Sequence, residues 1–348
     1  MYFFIYPKFY ETNGLNLRLK LYELLVYNYR YKFCCYQIAW LGMEITMIKI
    51  NPVFHKHLRT GARHVKTALI LLGYNSILAL FGLFALFLAL QNDNPYGSLF
   101  HYSAILDIYA IIVAVEFVLT LLVIPALTGT TIAGEREKQT LEILLTTNLS
   151  PLRIILGKLA SSINIMVVLA FSSLPILALV FTIGGITLID LAVFMVLVAV
   201  TAIYIGSMGI FFSTLFKKTT TATVSTYAGV LILCLGSIGV MWGMHSLMQL
   251  NLNYKADENV IRPIADIGNW LLLLIPNPLL TCFSLIEEQI GTGEAFKNFI
   301  GHFGTLPLNL RKNWFVISII SQMMMSGIFI LISAKLLNPL RNKCYWKK

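Results

Sequence analysis

The sequence predicts an all-α, polytopic integral membrane protein with six transmembrane helices. The 348 residues are 57% hydrophobic and only 12% charged, whereas soluble domains carry about a quarter charged residues. Six apolar stretches are long enough to cross a bilayer as helices, which takes about 20 residues. Because unpaired backbone groups are costly in lipid, these stretches must be helical. The lipid bilayer is therefore the expected surroundings of the chain.

The six predicted spans are separated by polar or charged segments. They lie at about residues 67–90, 105–128, 160–183, 191–213, 222–245 and 315–337. The third, fourth and fifth contain no charged side chain. Prolines inside the spans, such as Pro125 and Pro175, are tolerated there as kinks.

A seventh apolar stretch, residues 269–286, is interrupted by Pro276-Asn277-Pro278. Two prolines this close would break a spanning helix, so a short re-entrant or interfacial hairpin is predicted, and a seventh span is the alternative. Lysine and arginine mark the cytoplasmic side of a membrane. Six spans with both termini cytoplasmic place the basic tail, residues 341–348, inside, whereas a seventh span would place it outside.

The chain before the first span divides into two parts. Residues 1–46 are predicted to be an atypical N-terminal extension, because they hold eight of the sixteen tyrosines and no cleavable signal-peptide pattern. The natural start is expected at Met43 or Met47, and residues 1–42 are expected to be dispensable. Residues 51–66 are basic and amphipathic, and are predicted to form an interfacial helix on the inner leaflet. The membrane domain is placed at residues 47–340.

The segment between the second and third spans combines a charged cluster with a short amphipathic helix. The cluster consists of Glu135, Arg136, Glu137 and Lys138. An apolar stripe at i, i+3, i+4 spacing follows, formed by Leu141, Leu144 and Leu145. A cytoplasmic helix tied to two spans suits a mechanical coupling element, because a push on it tilts both spans. Docking of the stripe in a groove of a partner is predicted. The alternatives are an ordinary surface helix, or leucines that pack back on the membrane domain with the charged residues merely solvated.

This segment also resembles the signature of ABC-2 type transporter permeases. The similar text runs from Gly134 to Thr147 (Gly-Glu-Arg-Glu-Lys-Gln-Thr-Leu-Glu-Ile-Leu-Leu-Thr-Thr), then Leu-Ser-Pro at 149–151 and Ile-x-Leu-Gly-Lys at 154–158. Asn51-Pro52-Val53 with the basic segment after it, and residues 211–219, are similar to the family as well. The resemblance covers about residues 48–340. It departs at Asn148, where proline is commoner.

The resemblance implies the membrane subunit of an ATP-driven ABC exporter in the cell (plasma or inner) membrane. The segment 51–66 corresponds to the family's connecting helix, and the loop between spans two and three to its coupling helix, which docks on the ATPase. The implied partners are a separate ABC ATPase subunit and a second permease subunit, identical or related. The residues assigned to ATPase coupling are Glu135, Arg136, Glu137, Thr140, Leu141, Glu142, Leu144 and Leu145.

Several other functions find no support in the sequence. No GxxxxGK[ST] phosphate loop is present, so no catalytic or nucleotide site is expected and a partner must supply ATP hydrolysis. The histidines form no HExxH and the cysteines no CxxC, so neither a metal site nor a cofactor is predicted. The net charge is +10, and the basic residues flank the apolar runs. This arrangement favours a membrane surface over nucleic acid as the partner of the basic residues.

Two alternatives remain besides an ABC permease. A secondary transporter would need paired charges or broken helices in both halves of the membrane domain, and an intramembrane enzyme would need a converging nucleophile and base. The one candidate for either the translocation path or a subunit interface is Glu116, in the middle of the second span. An ionisable group at membrane depth is costly and is a functional candidate for that reason. A structural role is the alternative.

Overall fold

The structure is a computed structural model that describes residues 65–91, 102–146, 150–183, 186–255, 268–291, 293–304 and 313–337, with Asp266 and Leu310. All described residues belong to one compact unit, which lies within residues 53–348. They contain helices and turns but no strand. The predicted extension 1–46, Asn148 and the basic tail 341–348 lie outside the described residues. Residues 51–64 of the segment predicted to form the connecting helix do so as well.

Six helical segments are long and apolar enough to cross a membrane, which confirms the predicted all-α, six-helix class. Their helices are α1 (Val65–Gln91), α2 (Tyr102–Thr128), α5 (Pro151–Ile183), α6 (Leu188–Leu215), the pair α7 (Thr219–Leu231) and α8 (Ser237–Lys255), and α11 (Trp314–Leu337). Two short helices, α3 (Ala133–Glu137) and α4 (Leu141–Thr146), lie in the loop between the second and third spans.

The observed helix ends differ from the predicted limits at the fifth span, where α8 continues past residue 245 to Lys255, and at the third span. It was expected to begin near residue 160, but α5 begins at Pro151. Proline suits the first turn of a helix, where its missing N–H costs no hydrogen bond. Arg153 and Lys158 interrupt the apolar stretch on its N-terminal side. The backbone is nevertheless helical through both residues, because helical hydrogen bonds do not depend on side-chain polarity.

The seventh apolar stretch is broken at its prolines. A 3₁₀ helix covers Gly268–Leu274 and α9 covers Pro278–Ile290, followed by α10 at Glu294–Phe303. At 13 residues, α9 is about 20 Å long, which is too short to cross a bilayer. The break leaves the fifth span and α11 separated by a segment with short helices. It is here called the outer segment (residues 268–304), after the side of the membrane that the charge distribution predicts for it.

The bundle is built around α6, which packs against α2, α5, α7 and α11. The approach is closest where α6 meets the end of α2: a Cβ built on Gly209 would overlap the Thr128 side chain. At the end of α2, a Cβ on Gly129 would lie 2.9 Å from the Thr223 Cα in α7. Small residues permit such close helix contacts in membranes. The ends of α2, α6 and α7 therefore meet directly beside the loop that carries α3 and α4.

Candidate functional site

The loop between the second and third spans is a compact structure with two short helices. The chain leaves α2 at Thr128, turns through residues 129–132 into α3, and turns again into α4. Gln139 in the second turn has a φ of 58°, a left-handed conformation that side chains other than glycine and asparagine rarely adopt. After this turn, α4 lies in contact with α3.

The leucine stripe of α4 points toward the membrane domain. Leu141 is only 7% exposed and belongs to a buried cluster formed by Ile132, Leu141, Ile154, Ile155, Leu159, Ile210 and Leu337. Leu144 and Leu145 are half-buried against the same cluster. The stripe therefore attaches α4 to the start of α5 and the ends of α6 and α11, and it is not a free surface.

The opposite side of the loop is exposed and mostly polar. Ile143 is 69% exposed, and it is surrounded in the sequence by exposed positions, namely Lys138, Gln139, Thr140, Glu142 and Thr146. A single exposed isoleucine is common on protein surfaces. Here it occupies the middle of a helix whose other side is already buried, so the outward face of α4 is the face that a partner can reach.

Glu135 connects the loop to α5 through an ion pair. The Lys158 ammonium lies 2.5 Å from the Glu135 carboxylate and also donates to the Thr131 carbonyl at 3.1 Å. Lys158 is 5% exposed, so this pair is shielded from water more than a surface pair is and is screened less by salt. The sequence offered this lysine only as part of a sequence similarity, and its contact to the loop was not predicted.

Arg136 connects the loop to the end of α6. Its guanidinium donates to the carbonyl oxygens of Phe216 at 3.0 Å and Thr214 at 3.1 Å. The last carbonyls of a helix lack partners within the helix and carry partial negative charge. The half-buried Arg136 guanidinium supplies these carbonyl oxygens with both the missing hydrogen-bond donors and a positive charge.

Glu137 connects the loop to the start of α7. Its carboxylate accepts hydrogen bonds from the Thr219 N–H and the Thr219 hydroxyl, both at 2.9 Å. The first N–H groups of a helix carry partial positive charge, so an acidic group is stabilising there. Two consecutive residues of opposite charge thus bind the two helix ends that face each other across the short link of residues 216–218.

A buried hydroxyl from α6 completes the attachment. The Ser213 Oγ accepts hydrogen bonds from the N–H groups of Ile132 at 3.0 Å and Ala133 at 2.9 Å, and Ser213 is fully buried. These N–H groups lie at the start of the short helix α3, where the first N–H groups of a helix have no carbonyl acceptor within the helix. The loop is thus covalently joined to α2 and α5 and held by polar contacts to α6 and α7.

The structure gives the predicted coupling residues two different positions. Glu135, Arg136 and Glu137 contact groups of the same chain, and Leu141, Leu144 and Leu145 pack inward, whereas Thr140 and Glu142 are exposed. Their part in binding an ATPase stays a prediction. Sequence analysis missed Lys158, Ser213, Thr214, Phe216 and Thr219 as partners of the loop, although residues 211–219 had been noted for their family-like text.

Glu116 is fully buried in the interior of the bundle. One carboxylate oxygen accepts a hydrogen bond from the Ser173 hydroxyl of α5 at 2.6 Å, and Tyr74 of α1 lies within interaction range. The second oxygen has no hydrogen-bond partner among the described residues. In this conformation Glu116 joins α2 to α5 and faces no exposed surface. Its assignment to a translocation path or subunit interface stays a prediction.

Comparison with known proteins gives one family. The family model described as "ABC-2 family transporter protein" matches residues 53–336, which is more than half of the chain and includes all six spans, the loop and the outer segment. No curated protein matches the chain.

Proposed function

This chain belongs to the ABC-2 transporter family, and from that premise we propose that it is the permease subunit of an ATP-driven exporter. Family membership and six apolar helices make it a multi-pass protein of the cell membrane, and the family consists of membrane subunits that associate with an ABC ATPase. The export direction, the coupling to ATP hydrolysis, the absence of an ATPase site on this chain and the pairing with a second permease are the further parts of the proposal.

The observation that carries the proposal is the attachment of one loop to four spans by covalent or polar links, with its leucine stripe packed also against the end of α11. A force applied to α4 reaches α2 and α5 through the chain itself. It reaches α6 through Arg136 and Ser213, and α7 through Glu137. A loop that served only to connect two spans would need none of the contacts to α6 and α7.

The proposed mechanism uses the two faces of the loop differently. The outward face of α4, centred on Ile143 and Glu142, contacts a groove of the ATPase, with Thr140 at its edge. The inward leucines and the three charged residues transmit the movement of the ATPase to the spans. Closure of two ATPases on ATP moves both loops of a permease pair and reorients the helices that surround the path. Interfaces and packed cores are bistable, so small shifts are amplified in this way.

Co-purification tests the proposal against the two alternatives. The tagged chain is purified from its own source in mild detergent, and an ABC ATPase, identified by a phosphate-loop peptide, is expected with it. ATP hydrolysis should require that second subunit, since the chain carries no phosphate loop. Accumulation of a solute by the chain alone in vesicles, driven by an ion gradient without ATP, would instead establish a secondary transporter.

The proposed orientation can be measured separately. The distribution of lysine and arginine predicts both termini and the α3–α4 loop on the cytoplasmic side. Reporter fusions at residues 140 and 345 are expected to be cytoplasmic, and a fusion at residue 260 external. A cytoplasmic reporter at residue 260 would contradict the six-span orientation and would place the outer segment next to the ATPase.

A further inference from the structure

The fifth span contains a π-helical turn at Ile232–Gly236, between α7 and α8. The Ser237 N–H donates to the Ile232 carbonyl, five residues earlier. A π turn holds one residue more than an α turn, is rare, and occurs often at functional positions. It also disturbs the regular pairing of nearby carbonyl groups. In a membrane span these groups cannot turn to water, so another donor must satisfy them.

Two side chains supply hydrogen bonds to carbonyl oxygens of this turn. The Ser237 hydroxyl donates to the Leu233 carbonyl at 2.8 Å. The Asn277 side-chain amide donates to the Cys234 carbonyl at 2.8 Å and to the Ser237 hydroxyl at 2.8 Å. Asn277 lies in the outer segment, 43 residues further along the chain. The π turn is therefore stabilised partly by a residue from outside its own span.

The same amide forms the start of α9. The Asn277 Oδ1 accepts hydrogen bonds from the N–H groups of Leu279 at 2.9 Å and Leu280 at 3.4 Å, which is the pattern of a helix N-cap. Because backbone N–H groups only donate and carbonyls only accept, the orientation of the amide is determined by its partners. Asn277 is 1% exposed and uses both ends of its amide, one for α9 and one for the fifth span.

The register of α8 depends on the presence of the π turn. If the turn becomes α-helical, the following helix advances by about one residue, or about 100° of rotation. Met241 is 1% exposed and packs with Leu271 and Trp314 in a buried cluster of the outer segment. Val240 is 54% exposed. A shift of one residue would place Val240 at the buried position and turn Met241 outward.

We propose that Asn277 is a positioning residue that holds the fifth span in its π-turn register and thereby couples the outer segment to this span. Release of the Cys234 carbonyl by Asn277 lets the turn become α-helical and rotates α8 against the outer segment. The fifth span then has two packed arrangements, one with the π turn and one that is α-helical throughout, instead of a continuous range of rotations of α8. A part for this switch in transport rests on the proposed permease function, whereas the dependence of the register on Asn277 does not.

Asn277→Ser separates the two roles of the amide. Serine accepts hydrogen bonds at an N-cap as well as asparagine does, so α9 keeps its cap. Its hydroxyl is too short to reach the Cys234 carbonyl. Asn75→Ser is the matched control, because Asn75 also donates across helices to a serine hydroxyl, that of Ser172 at 3.0 Å, but has no contact with the π turn. Ser237→Ala, which removes the Leu233 bond, is a second variant with the same expected direction.

The register is measured with cysteines placed at position 240 or 241 of the full chain. Each variant is treated in detergent with a lipophilic maleimide, and the modified peptide is identified by mass spectrometry. In the otherwise unchanged chain and in Asn75→Ser, Val240→Cys is expected to react and Met241→Cys to be protected.

In Asn277→Ser, and in Ser237→Ala, this order of reaction rates is expected to reverse. An unchanged order in Asn277→Ser would overturn the proposal, whatever Ser237→Ala shows, and so would equal reaction of both cysteines, which indicates loss of packing instead of a change of register. No ATPase, nucleotide or cargo enters the measurement. A failure of this proposal therefore leaves the permease assignment standing, and a failed co-purification leaves the register result standing.

Discussion

Ile143→Asp is expected to abolish ATPase binding while the permease accumulates at its normal level. Ile143 is 69% exposed at the centre of the outward face of α4, so the substitution disturbs no buried contact of the chain itself. In a docked complex the same position is desolvated, and an aspartate there leaves a charge without a partner. Loss of a central apolar contact costs about 2 kcal/mol or more when the residue is a hot spot. Co-purification of the ATPase and the amount of permease in the membrane are the two measurements.

The matched control is Leu141→Asp, two positions away on the buried side of the same helix. Leu141 is 7% exposed in the cluster that holds α4 on the bundle, so a carboxylate there is expected to lower the level or thermal stability of the permease itself. An Ile143→Asp permease that still binds its ATPase would contradict the outward-face assignment. A Leu141→Asp permease at normal level without bound ATPase would restore the leucine stripe as the docking surface.

Arg136→Ala is expected to leave the complex assembled but to weaken the connection between the loop and the fourth span, because Ser213 then remains as the polar link between the loop and α6. The guanidinium makes two hydrogen bonds to the end of α6, and hydrogen bonds to a charged group contribute about 1.5–3 kcal/mol each. A lysine retains the charge but cannot bind two acceptors through a planar fork. Arg136→Lys should therefore give an intermediate result. Lys138→Ala, which removes an exposed charge of the same loop, is the control.

The measurement compares two reporter cysteines in the assembled complex, at Thr146 in α4 and at Lys217 after α6. Both positions are exposed. In the unchanged complex, ATP is expected to alter the maleimide reaction rate at both positions. In Arg136→Ala the Thr146 reporter should respond in full, and the response of the Lys217 reporter should be clearly smaller. A normal response at both positions would show that Arg136 transmits nothing to α6.

Hydropathy was sufficient to predict the class and the number of spans, because bilayer thickness and composition limit both. It was less accurate at the helix ends. Because of Arg153 and Lys158, the third span was predicted to begin about nine residues later than α5 does. A helix continues through charged residues wherever these find partners, as Lys158 does in Glu135. The break at Pro276 and Pro278 was predictable from the covalent structure of proline alone.

The direction of the α4 stripe could not be predicted from periodicity. The i, i+3, i+4 spacing of Leu141, Leu144 and Leu145 indicates that one face is buried, but not whether the burying surface belongs to this chain or to a partner. The contacts of Arg136 and Glu137 were also inaccessible, because their partners lie about 80 residues away. The π turn has no pattern in Ile232–Gly236 that distinguishes it from α-helix, since its stabilising amide comes from the outer segment.

The contact between Arg136 and α6 has a consequence for how these permeases can diverge. The guanidinium binds carbonyl oxygens of Thr214 and Phe216, not their side chains. Every amino acid supplies a carbonyl oxygen, so substitutions at either position preserve the acceptors as long as the helix ends at the same residue. Pairwise covariation between aligned positions would therefore miss this contact. An insertion in the link after Phe216 would instead move Thr219 away from Glu137 while Arg136 holds the end of α6, so insertions should be rarer there than substitutions.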